Sequence, residues 1–73
     1  MKIEEFEAKW NAIETNGQRL VYVGSEYSFI YANKYKLIKE KIHFYDAYLS
    51  VVGKFRLEDI VNVKSTWDEK SEY

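Results

Sequence analysis

Apolar residues recur at Ile3, Phe6, Trp10 and Ile13, three and four positions apart, while Glu4, Glu5, Glu7, Lys9 and Glu14 fall largely between them. One apolar stripe at this period predicts an amphipathic helix, placed over residues 2–15. Its early acids complement the positive end of the helix dipole. Thr15, Asn16 and Gly17 then supply a stop, with Gly17 suited to a left-handed cap. So short a helix is rarely stable unpacked, so its Trp-bearing stripe is expected to cover a face of whatever the remaining chain builds.

Beyond Gly17 the pattern changes. RLVYV at Arg19 to Val23 is a run of strand formers bounded by Gly17 and by Gly24-Ser25, and predicts a strand over about 19–24. Towards the C-terminus, Val51 and Val52 lead through Gly53-Lys54 to Phe55, and Ile60, Val61 and Val63 follow. This predicts strands over about 49–56 and 60–65, separated by a turn or 3₁₀ step at Leu57-Glu58-Asp59. DEKSEY, residues 68–73, is polar and terminal and is expected to fray.

The middle of the chain supports two periods. Tyr31, Tyr35, Ile38, Ile42, Tyr45 and Leu49 step by four and three, a heptad seam compatible with one long helix over about 28–50. Tyr27, Phe29 and Tyr31 also alternate with Ser28, Ile30 and Ala32, and Ile42 and Phe44 alternate with Lys41, His43 and Tyr45, as in strands. Composition favours strands. Tyr, Phe and Ile are mediocre helix formers, and a helix would strand Tyr27, Phe29, Phe44 and Tyr48 outside its seam. Asn33-Lys34, Lys39-Glu40-Lys41 and Asp46-Ala47-Tyr48 supply the turns. Strands are therefore expected over about 27–33 and 35–45, the latter folded at its polar tip. The architecture that follows is α+β, a single domain of residues 1–73 in which an N-terminal helix packs on a curled antiparallel sheet or SH3-like barrel of about five strands.

Composition sharpens this picture. With 73 residues the chain is near the size at which one core only just offsets the entropy of folding, but 47% hydrophobic and 18% aromatic content provides dense core material. Cys and Pro are absent, which excludes disulfides and thiolate zinc sites. No window resembles a secretory leader or a membrane span, so a soluble, cytoplasmic protein with no membrane partner is expected. The net charge of −1 removes any global attraction to nucleic acid, although Lys34, Lys36, Lys39 and Lys41 crowd the middle while acids gather at the two ends.

Residues 42–63, IHFYDAYLSVVGKFRLEDIVNV, run strand, turn, strand, short LEDI step and last strand. This layout resembles small SH3-like or Sm-like barrels, and small accessory proteins of bacteriophages and mobile elements built on such a sheet. The resemblance implies an interaction fold without chemistry of its own, and no binding residue carries over from it.

Candidate chemistry is sparse. His43 is the only histidine, with no Ser or Asp spaced to form a triad, and Glu4-Glu5 and Glu58-Asp59 are neighbours that point apart. Gly24-Ser25-Glu26 is far short of a phosphate loop. A catalytic role, a metal and a cofactor are accordingly not expected. The remaining candidate is the aromatic and basic middle, Tyr27, Phe29, Tyr31 and Tyr35 with Lys34, Lys36, Lys39 and Lys41. Some of these aromatics must fill the core, and lysines on short strands often guard against edge pairing. Tyr is nonetheless favoured at interfaces, and seven in so short a chain exceed what a small core can hide. The expected function is a non-enzymatic binding protein with a protein partner, such as a phage or mobile-element regulator or inhibitor, or a self-associating homo-oligomer. The alternative is a nucleic-acid-binding small barrel using the Lys and Tyr surface.

Overall fold

The computed structural model describes residues 1–13 and 17–66. Among them the order is α1 (Ile3–Ala12), β1 (Arg19–Val23), β2 (Phe29–Ala32), β3 (Lys34–Ile38), β4 (Lys41–Tyr45), β5 (Val51–Arg56), a 3₁₀ turn (Leu57–Asp59) and β6 (Ile60–Ser65). The fold is α+β, with two corrections to the sequence expectation. The strands number six among the described residues rather than about five: the stretch over 35–45 folds at its expected polar tip, Lys39-Glu40, and its two arms are separate strands, β3 and β4. Lys39 adopts a left-handed φ of 58° at that tip.

The second correction is that no barrel closes. The strands form two antiparallel sheets, β2-β1-β6 and β3-β4-β5. The reason lies at Asn33, the single residue between β2 and β3, whose N–H bonds to the Tyr45 carbonyl at 2.8 Å. There the chain stops pairing with β1 and starts pairing with β4, so one bent ribbon serves both sheets. At the other side β2 approaches β5 without joining it in a ladder. The middle segment thus folds as strands β2, β3 and β4 joined by short turns, and its heptad spacing is not that of a helix.

The core lies between the sheets. Val21, Ala32, Ile60 and Val63 from one sheet meet Ile42 and Phe44 from the other, with Phe6 and Trp10 of α1 completing the cluster. Those two residues are four apart, so they share one helical face, and both are buried in the core cluster. Phe6 lies 6.0 Å from Phe44, and the Tyr35 ring meets Phe6 at 4.9 Å and Trp10 at 4.8 Å, edge to face in both cases. α1 is therefore the lid that its apolar stripe predicts. It ends earlier than expected, at Ala12, with Ile13 already extended at φ −82° and ψ 114°. The Thr15 and Asn16 stop and the tail over 68–73 lie outside the described residues.

Arg19 locks the lid. It stands on the inward face of β1 and is 8% exposed, with its guanidinium 4.4 Å from the centre of the Trp10 ring. Its Nε donates to the Trp10 carbonyl, and one terminal nitrogen donates to the Gly17 carbonyl, both at 3.3 Å. The Trp10 carbonyl also accepts the cap N–H of Ile13 at 3.3 Å, so Arg19 adds a second donor at the negative end of the helix. Burial lowers the pKa of this group from its ordinary value.

Candidate interaction surfaces

Strand alternation and register decide which side chains leave the core. In the β2-β1-β6 sheet, Val21 faces inward, so Leu20 and Tyr22 face out. The residues paired with them share that side. Tyr22 pairs with Phe29 and Asn62, and Leu20 pairs with Tyr31 and Lys64. These six form a grid of two rows on the outer face. Phe29 stacks against Tyr22 and, edge to face, against Tyr31, both with ring centres 5.5 Å apart. The Lys64 ammonium lies 5.5 Å from the centre of the Tyr22 ring.

The grid combines a firm base with an open top. Leu20 is only 1% exposed although it points away from the main core, whereas Phe29 and Tyr31 are 43% and 49% exposed. Tyr27, in the turn between β1 and β2, is 90% exposed. With Tyr22, Glu26, Asn62 and Lys64 it lines a shallow hollow of about 230 Å³. This turn is held by Gly24, whose φ of 77° suits glycine and whose N–H bonds to the Asp59 carbonyl at 2.8 Å.

The second sheet has a different outer face. Ile42 and Phe44 point inward, so Lys41, His43 and Tyr45 of the central strand point out. Register adds Lys36 and Lys54 on either side of His43, Arg56 opposite Lys41, and Lys34 opposite Tyr45. Lys39 sits at the hairpin tip beside this face. The next turn, residues 46–50, is organised by Asp46, whose Oδ1 accepts from the N–H groups of Tyr48 at 2.8 Å and Ser50 at 2.9 Å. It holds Tyr48 and Leu49 out in solvent, with Leu49 at a left-handed φ of 67°.

No family model, curated protein or solved structure matches this chain. The arrangement of its own residues is therefore what bears on function.

The seven residues singled out in the sequence divide among three places. Tyr31 is in the aromatic grid and Tyr27 lines the hollow at its edge; Lys34, Lys36, Lys39 and Lys41 belong to the basic side of the other sheet. Tyr35 belongs to neither. Its ring packs on Phe6 and Trp10, and its hydroxyl donates to Glu7 Oε2 at 2.7 Å. Desolvation raises its pKa to about 12, helped by the hydrogen bond and by the negative charge of Glu7. Tyr35 is thus a strut between β3 and α1.

Sequence reasoning passed over Tyr22, Lys64, Lys54 and Arg56. Lys54 and Arg56 flank Phe55, so alternation alone places them opposite a core aromatic. Their company with Lys36 and Lys41 becomes visible only once β4 and β5 are paired. Among the described residues no cluster of three or more His, Asp or Glu could hold a metal ion, and no helix is long and apolar enough to cross a membrane.

Proposed function

We propose that this protein is a non-enzymatic binding domain that engages a protein partner through the outer face of the β2-β1-β6 sheet, acting as a regulator or inhibitor by occupancy. The observation that carries this reading is the aromatic cluster in which Phe29 packs on both Tyr22 and Tyr31, with the Phe29 and Tyr31 rings standing in solvent on the same sheet as the turn that carries the exposed Tyr27. Large aromatic rings offer contact area at low entropic cost, and rings already braced against each other lose little freedom on binding. Lys64 and Asn62 along β6 give the face polar groups to fix orientation.

The test is photo-crosslinking in the native host with a photoreactive amino acid at position 27 or 31, and at the exposed helix position 4 as control. A discrete, nuclease-resistant adduct from 27 and 31 but not from 4 supports the reading, and an adduct of twice the chain mass identifies the partner as a second copy. The reading fails if neither position gives an adduct, or if the adduct is digested by nuclease.

A further inference from the structure

We infer that the outer face of the β3-β4-β5 sheet is a second, separate binding surface, one that grips the phosphate backbone of double-stranded nucleic acid without reading its sequence. Five exposed cations stand on this one face: Lys34 and Lys36 on β3, Lys41 on β4, and Lys54 and Arg56 on β5. With Lys39 at the tip they make six of the 11 Lys and Arg residues of a chain whose net charge is −1. No Asp or Glu occurs in any of the three strands. Among the described residues, Arg56 has an ion pair with the exposed Glu58 at 3.4 Å, and Lys34, Lys36, Lys39, Lys41 and Lys54 have none.

A protective role at sheet edges does not account for this pattern. Edge lysines discourage strand pairing, and β3 and β5 are edges, but Lys41 and His43 belong to the central strand. The register also sets Lys41 directly opposite Arg56, and places His43 between Lys36 and Lys54. Like charges directly opposite each other destabilise a sheet. A face that carries such a pairing in the free protein is relieved of it when an anion arrives.

The geometry selects the anion. By register Lys41 and Arg56 are about 5 Å apart across neighbouring strands, Lys36 and Lys54 about 10 Å apart on either side of His43, and Lys34 to Lys36 and Lys54 to Arg56 about 7 Å apart along their strands, an area roughly 10 Å wide. Such a two-dimensional array calls for closely and regularly spaced charge, which a duplex supplies at one charge per about 1.7 Å of its axis. Lysine dominates, and its ammonium meets phosphate as a point charge without the planar fork used to read bases. The rings on this face, His43 and Tyr45, are half-buried, and the exposed strand aromatics that could stack unpaired bases are on the other sheet, so a single strand would gain little here.

The test is fluorescence anisotropy with a labelled duplex of about 20 base pairs, repeated with a second sequence and across salt concentrations. Binding should be independent of sequence, and log K should fall against log salt with a slope of about −4, as four or five phosphate contacts require. Lys36→Gln and Lys54→Gln should each make that slope shallower by about one and weaken binding roughly tenfold at about 50 mM salt. Lys9→Gln, the same charge change on α1, should leave both unchanged. Thermal melts should show that the two strand variants fold about as stably as the parent, since both side chains are exposed and neither has an ion pair among the described residues. The inference is overturned by no binding at low salt, by salt-independent binding, or by an equal loss in Lys9→Gln. Binding of phosphatidylserine vesicles or poly-glutamate that matches duplex binding would also overturn it, since it would reassign the face to a membrane or an acidic protein.

Discussion

The Tyr35 hydroxyl reaches from β3 to Glu7 on α1 and donates a 2.7 Å hydrogen bond to its Oε2, tying the lid to the sheet at the rim of the core. Each partner supports the other's position. The ring of Tyr35 is held by Phe6 and Trp10, and Glu7 follows Phe6 on the same helix, so the polar contact forms only when the aromatic packing is in place.

Tyr35→Phe should keep the fold and cost about 1 kcal/mol, the net worth of one intramolecular hydrogen bond. The folded pKa of about 12 lies above the ordinary value of 10, so the folded state holds this proton more tightly than the unfolded one. The resulting stability is complete below pH 10 and lost as pH rises from 10 through about 12. Urea denaturation at several alkaline pH values should show the gap between parent and variant closing over that window.

Arg19→Met should destabilise by about 2 kcal/mol, because it removes both the cation over Trp10 and the donors to the Trp10 and Gly17 carbonyls. Arg19→Lys should recover less than half of this, since an ammonium cannot both stack flat and donate from a fork. Denaturant midpoints of the three proteins decide the order.

Gly53→Ala should cost about 1–3 kcal/mol. A Cβ there would stand 2.5 Å from Phe55 Cε2 and 3.0 Å from Cζ, and that ring packs on Phe44 in the core. In a Phe55→Leu background the same substitution should cost less than in the parent, because the ring it meets is gone, and a double-mutant cycle of denaturation measurements would show this.

Phe6→Ala and Tyr31→Ala remove aromatic rings of similar size from opposite environments. Phe6 is completely buried, so its loss should cost about 4 kcal/mol, enough to unfold most of a domain this small. Tyr31 is half exposed on the outer grid, and its loss should cost about 1 kcal/mol while abolishing partner capture. Circular dichroism melts distinguish the two.

Much of the fold was legible because local periods are imposed by backbone geometry. The three- and four-residue spacing of Ile3, Phe6, Trp10 and Ile13 marks the lid, and the alternation of Lys41, Ile42, His43, Phe44 and Tyr45 marks β4. The heptad spacing through Tyr31 and Leu49 was a competing signal, and β propensity and turn residues outweigh it. Asn33 reads locally as a turn, but its switch between sheets could not be seen, because it depends on the distant Tyr45 carbonyl.

The sequence by itself determined the helix, the strand segments and the supply of exposed aromatic and basic residues, since propensity, period and charge are properties of short stretches. Only the tertiary structure decided that Tyr31 faces solvent and Tyr35 the core, and that Lys36, Lys41, Lys54 and Arg56 share one face. The physical reason is that a strand offers two sides and its own residues do not say which is buried. Pairing across strands that are distant in the chain settles the side, and with it which residues can act together.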